Sequence, residues 1–223
     1  MIIAIDGPAA SGKSTVARAV ARRLGFRYLD TGAMYRAVAA EAVRLGMPLE
    51  DAALMTTLAE TTSVRFSYAE GDPIPAGVLV GSRDVTTEIR TPAVDAAVSL
   101  VARIPGVRHA MVPQQREFAL GSDIVVEGRD IGTVVFPDAA VKVYLTATPE
   151  ERARRRFGDR EAAGHEAEIA AVAADIAHRD RIDSTRAASP LATADDAHVI
   201  DTTGLTVDAV VELIAALAAE VGA

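Results

Sequence analysis

Gly7-Pro8-Ala9-Ala10-Ser11-Gly12-Lys13-Ser14-Thr15, lying directly behind the apolar run Ile2-Ile3-Ala4-Ile5, decides the fold. It is a complete G-x-x-x-x-G-K-[ST] loop between a short buried strand and a helix that begins near Lys13. The glycines let backbone N–H groups turn inward around phosphate oxygens. Lys13 is placed to reach the β- and γ-phosphates, and the Ser14 hydroxyl to ligate Mg²⁺. The following helix adds the positive end of its dipole. Such a match arises by chance in about one chain in a hundred of this length. The stretch therefore predicts a solvent-facing loop that binds a nucleoside triphosphate, rather than a Gly-rich turn without a ligand.

The 223 residues and 50% hydrophobic content suit one sizeable α/β domain. No apolar run approaches the roughly 18 residues of a membrane span. A strand starting at residue 2 leaves no room for a signal or transit peptide. There are no cysteines, which excludes disulfides, thiolate nucleophiles and Cys-ligated zinc. His109, His165, His178 and His198 lie too far apart for metal-ligand spacing. These features point to a cytoplasmic protein. The net charge of −8 argues against long nucleic acid as a partner. Of the 23 basic residues only Lys13 and Lys142 are lysines, and Asn is absent. That bias reads as GC-rich coding, so the positions of the arginines carry the information and their number does not.

Apolar runs predict strands at Ile2–Ile5, Arg27–Leu29, Ile124–Val126, Val141–Leu145 and His198–Ile200. Helical periodicity appears at about 13–24, 33–46, 50–61, 93–103, 106–119, 149–161, 166–184 and 206–220. The alternation predicts a three-layer sandwich around a central parallel five-stranded sheet, with ligands beyond the carboxyl ends of its strands. Val64–Tyr68, Gly77–Val80 and a piece near Arg83–Val85 instead read as small antiparallel strands. One domain is expected, with its core at about 1–48, 105–150 and 186–223. An insert at about 49–104 and a helical lid at about 152–165 complete it.

Four further segments carry chemistry. Leu29-Asp30-Thr31-Gly32-Ala33-Met34-Tyr35-Arg36 ends one strand and opens a helix, with Asp30 or Thr31 as cap and Arg36 facing the substrate rim. Glu127-Gly128-Arg129-Asp130-Ile131-Gly132 puts two acids and an arginine between glycines at another strand end. Arg152, Arg154, Arg155 and Arg156 crowd a helix start, where the dipole disfavours cations, as in a lid that closes arginines over phosphates. Arg179, Asp183 and Arg186 fall at i, i+4 and i+7, one face of one helix. An ion-pair ladder accounts for the first two and less well for the third. One triphosphate needs less guanidinium than this. Phosphoryl transfer between two phosphorylated substrates needs it, because donor and acceptor repel.

From end to end the chain resembles the bacterial cytidylate kinases. The matching residues are IDGPAASGKST at 5–15, LDTGAMYR at 29–36, EIRTPAV at 88–94, EGRDIGTVVFPDA at 127–139, ERARRR at 151–156 and RDRIDSTRAASPL at 179–191. The segment at about 64–90 resembles the monophosphate-binding insert of the longer bacterial type. The resemblance implies transfer of the ATP γ-phosphoryl group to CMP, and to dCMP, with Mg²⁺. It implies that Asp130 and Arg108 read the cytosine ring. Thr31 stands where the family has a serine, keeping the hydroxyl and adding a methyl. Ser99, Arg179 and Asp183 look like ribose contacts, and Tyr35, Arg36, Arg129 and Arg186 like a monophosphate clamp. Lys13, Arg129, Arg155, Arg156 and Arg186 are the expected catalytic residues.

Shikimate and dephospho-coenzyme A kinases share the loop and the lid, but are not expected to carry both the EGRD strand end and the antiparallel insert. A GTPase-like switch would read guanine through N-K-x-D, which a chain without Asn cannot contain. The expected partners are ATP and CMP or dCMP, with no long nucleic acid and no membrane, and the expected state is a monomer.

Overall fold

The computed structural model describes residues 1–162, 164 and 168–222. Its core strands are β1 (Ile2–Asp6), β2 (Arg27–Asp30), β6 (Ile124–Glu127), β7 (Val141–Thr146) and β8 (His198–Asp201). They form one parallel sheet in the order β2-β6-β1-β7-β8. β1 thus lies at the centre, with Ile5 opposite Glu127 on one side and Val143 on the other. Ile3, Ile5, Leu29, Val125 and Leu145 are fully buried. That is why these strands read as unbroken apolar runs.

The sheet separates two apolar layers. One holds Ala4, Leu29 and Val126 against α2 (Thr31–Arg44), α4 (Pro92–Ala102) and α5 (Pro105–Ala119). The other holds Ile3, Ile5 and Val143 against α1 (Lys13–Leu24) and α8 (Val207–Gly222). Even and odd residues of β1 feed opposite layers, as the pleat requires. α3 (Ala52–Thr61) packs on α5. Beside it β3 (Val64–Tyr68), β4 (Pro75–Val80) and β5 (Arg83–Asp84) make the antiparallel insert sheet. Tyr68 of that sheet stacks on Phe118 of α5, Phe66 meets the same ring edge-on, and the Arg27 guanidinium lies 4.3 Å from the Phe118 ring centre. The insert is thereby anchored to the core.

α6 (Pro149–Ala162) and α7 (Ile169–Thr185) lie between β7 and β8 in the chain. The predicted lid range, about 152–165, and His165 lie partly outside the described residues. The elements follow the sequence reading within one to three residues, with three informative differences. α2 starts at Thr31 because the Asp30 carboxylate accepts from the Ala33 amide at 2.9 Å, making Asp30 the cap and Thr31 the first helical residue. A π-helical turn at Ile131–Val135 follows β6, which apolar periodicity does not signal. α7 ends at Thr185, and Arg186 is extended at φ −65° and ψ 142°. The expected single helical face of Arg179, Asp183 and Arg186 is therefore corrected: Arg186 is past the helix. No helix is long and apolar enough to cross a membrane among the described residues.

Candidate active site

The loop after β1 is held by close approach. A Cβ on Gly7 would stand 2.0 Å from the Leu145 carbonyl oxygen, and Gly12 caps α1 at φ +91°. The expectation of a solvent-facing loop is corrected in part: Ser14 and Thr15 are exposed, whereas Ser11 is wholly buried and Lys13 is 6% exposed. Lys13 Nζ donates to the Pro8 carbonyl at 2.6 Å and to Ser11 Oγ at 3.4 Å. Burial first, then the positive charge of Arg129, pull its pKa down to about 7, while Glu127 and Asp6 oppose the shift. A buried ammonium short of counter-charge is suited to an incoming polyanion.

Ser14 Oγ donates to Glu127 at 2.9 Å. Glu127 closes β6, is 3% exposed, and also accepts from the Tyr28 hydroxyl. Burial and the nearby Asp30 raise its pKa. With its hydrogen committed to Glu127, the Ser14 oxygen keeps its lone pairs for a cation. A hydroxyl beside a carboxylate is an all-oxygen donor set that fits Mg²⁺.

Facing the loop is a polar wall. Arg108 from α5 donates to Asp130, and both side chains are at most 5% exposed. Asp130 also meets Arg186 at 3.4 Å. Arg129 Nε donates to Asp183 at 2.9 Å, and Arg186 lies 3.7 Å from the same carboxylate. The intrahelical Arg179–Asp183 ladder is absent among the described residues, since Asp183 turns to Arg129 and Arg186 while Arg179 turns to Asp95 at 4.0 Å. Asp95 also binds Arg36 and, at 2.6 Å, Arg156. Burial and the charge of Arg36 push Arg179 down to about 10. Thr31 donates to the Glu127 carbonyl at 2.7 Å. The Tyr35 hydroxyl, Arg108 Nε and Arg179 Nε are buried without a partner among the described residues. Such groups are costly unless a ligand satisfies them.

Most of these groups surround one cavity of about 360 Å³, and Asp95 lines a second one that shares Arg36, Arg156 and Arg179 with it. Of the residues singled out in the sequence, Gly7, Pro8 and Ser11 of the loop, Ile131 and Gly132 of the strand end, and Arg152 and Arg154 of the arginine run do not line the first. The remaining loop residues, Thr31, Tyr35, Arg36 and Ser99 come together there with Arg108, Arg129, Asp130, Arg156, Arg179, Asp183 and Arg186. Arg155 lines it in an unexpected posture. It donates to the Ser11 carbonyl at 3.2 Å, the Thr202 hydroxyl at 2.9 Å and the Thr202 carbonyl at 2.9 Å, so it braces the donor loop. Sequence reasoning gave no individual site role to Asp6, Asp30, Arg90, Asp95 or Glu127. Asp95 was accessible to it, being one turn before Ser99 on the same helix.

A family model described as cytidylate kinase matches residues 3–220. A cytidylate kinase of Pelotomaculum thermopropionicum is 54% identical over 215 residues, covering 96% of this chain and 94% of that protein. One of Rhodococcus opacus is 50% identical over 213 residues, covering 95% and 91%. Among solved structures, an uncharacterized protein from Eubacterium ventriosum superposes with a TM-score of 0.52 at 12% identity, covering 97% of this chain and 96% of that one. That likeness concerns the fold alone.

Proposed function

Because the chain belongs to the cytidylate kinase family and is an ATP-dependent phosphotransferase acting on CMP, we propose how its residues divide that work. ATP phosphates lie on the backbone amides of Gly7–Thr15, with Lys13 against the β- and γ-phosphates. Mg²⁺ would be held by Ser14 beside Glu127, and would supply charge neutralisation at the phosphate oxygens. Cytosine sits against Asp130 and Arg108. The carboxylate accepts from the 4-amino group, and the guanidinium donates to N3 and O2. Uracil offers O4 to the same carboxylate, setting two acceptors face to face. Ser99, Arg179 and Asp183 take the ribose. Tyr35, Arg36, Arg129 and Arg186 take the α-phosphate.

The transfer is a direct in-line displacement. The acceptor oxygen is already anionic, so no carboxylate base is required, and catalysis is positioning plus charge stabilisation. Arg129, Arg155, Arg156 and Arg186 offset the charge that spreads over the transferring group. The insert and the lid close over both nucleotides and exclude water. The same reading extends the acceptor to dCMP. It takes the enzyme to be a cytoplasmic monomer without membrane or long nucleic acid among its partners.

One observation carries this reading: a single cavity has the phosphate loop on one wall and the buried Arg108–Asp130 pair on the other. An assay with ATP, Mg²⁺ and a panel of CMP, dCMP, UMP and shikimate tests it. CMP and dCMP should turn over, and Lys13→Ala should lose about 100-fold or more in kcat. A Lys13→Ala enzyme at near wild-type rate would remove Lys13 from catalysis.

A further inference from the structure

The loop that follows β6 is tied to β1 at both of its ends. The Gly128 amide donates to the Ile5 carbonyl at 3.0 Å. Three residues later the Ile131 amide donates to Asp6 Oδ1 at 2.8 Å, and the Gly132 amide to Asp6 Oδ2 at 2.7 Å. Arg129 and Asp130 are the residues between these fastenings. The Ile131 and Gly132 amides open the π-helical turn, whose own bonds run from Val134 and Val135 back to Asp130 and from Phe136 back to Ile131. Amides at such an end have no partner within the turn. Asp6 is their cap, supplied from another strand across more than 120 residues of sequence.

Only a carboxylate suits this position. It has two acceptor oxygens and no hydrogen, so it satisfies two amides at once. An asparagine of the same shape would turn an NH₂ group toward one N–H. The arrangement persists against an electrostatic penalty. Burial chiefly, and the charge of Asp130 in addition, push Asp6 up to about 6, with the two amide bonds and Lys13 pulling the other way. A buried acid beside a second acid is a poor device for stability alone. It is a good one for holding a reading group in register, because hydrogen-bond discrimination decays once donor and acceptor are misplaced by a fraction of an ångström.

We propose that Asp6 is a positioning residue for the acceptor: from the last place on the donor-side strand it fixes the loop bearing Arg129 and Asp130 and so sets the preference for CMP over UMP. The inference rests on the reading of Asp130 as the group that meets the base. Because Gly7 comes next, one side chain references the acceptor wall to the phosphate loop.

The test compares Asp6→Asn and Asp130→Asn with the parent enzyme, measuring kcat and KM for CMP, UMP and ATP together with melting temperature. In Asp6→Asn the CMP-to-UMP ratio of kcat/KM should shrink at least about 10-fold, and KM for CMP should rise more than KM for ATP. A brace that acts only on stability predicts a lower melting temperature with the ratio unchanged, and that result overturns the proposal. If Asp130→Asn shifts the ratio while Asp6→Asn does not, the proposal alone fails. If Asp130→Asn leaves the ratio unchanged, the base-reading assignment fails and the role of Asp6 falls with it. Should Asp6→Asn not fold, amide exchange in the parent enzyme decides. Protection at Ile131 and Gly132 that deepens with CMP supports the cap, and unprotected amides refute it.

Discussion

Replacing Asp183 by alanine separates ribose binding from mere bracing. Its carboxylate, 10% exposed, accepts from Arg129 Nε at 2.9 Å and lies 3.7 Å from Arg186 Nη1. Removing one partner of a fully buried ion pair costs about 3–5 kcal/mol. Arg129 is 24% exposed and can turn partly to water, while Arg186 keeps Asp130 at 3.4 Å. The loss should therefore be nearer ~2 kcal/mol. At about 2–4 °C per kcal/mol for a chain of this size, the melting temperature should drop by about 4–8 °C. The catalytic effect is distinct. A hydrogen bond from the ribose 2′-hydroxyl to a charged acceptor contributes about 1.5–3 kcal/mol. Its loss should lower kcat/KM for CMP relative to dCMP by about 10–150-fold. Steady-state kinetics with both acceptors, run beside thermal unfolding, reads both quantities. A lowered melting temperature with an unchanged CMP-to-dCMP ratio would refute the ribose contact. A changed ratio without loss of stability would refute the pairing with Arg129.

Two more perturbations address the charges around the pocket. Asp95→Asn removes the carboxylate that neutralises Arg36, Arg156 and Arg179. KM for CMP should fall several-fold as the melting temperature declines by a few degrees, and a rise in KM would identify Asp95 as a support for those arginines instead of a competitor of the phosphate. Asp6 holds its proton more tightly folded than unfolded, its pKa being raised from 3.8 to about 6. Its contribution to stability should increase as pH drops from about 6 toward 4, by up to about 3 kcal/mol. Urea unfolding of the parent enzyme and Asp6→Asn between pH 4 and 7.5 should give curves that diverge toward acid, and parallel curves would contradict the buried position.

The segments that sequence alone exposed are those in which function leaves a local trace. The Gly7–Thr15 loop and the Glu127–Gly132 strand end each put unusual residues at a strand terminus, where α/β sheets place ligands. The antiparallel insert announced itself through Gly71-Asp72-Pro73 and Gly81-Ser82, turn residues in a region lacking helical period. Other features have no local trace. Asp6 meets Ile131, and Asp95 meets Arg36 and Arg156, only after the sheet order is set. Arg186 illustrates the limit of periodic reasoning. Counting by i, i+4 and i+7 put it on a helix that stops one residue earlier, yet it reaches the same carboxylates from an extended backbone. Arg155 shows a second limit. Its place in an arginine run does not announce that, while lining the cavity, it also donates to Ser11 and Thr202.

The central position of β1 has a consequence for synthesis. Its two neighbours in the sheet are Ile124–Glu127 and Val141–Thr146. When the phosphate loop leaves the ribosome, neither flank exists. At about 5–20 residues per second, roughly 6–30 s pass before both strands can join it. During that interval Ile2–Ile5 is an apolar segment with both edges unpaired, and Asp6 has no amides to accept. Folding of the donor site is therefore a late event, although its residues are made before either flanking strand. Until both flanks arrive, this apolar strand with unpaired edges is open to association with other chains.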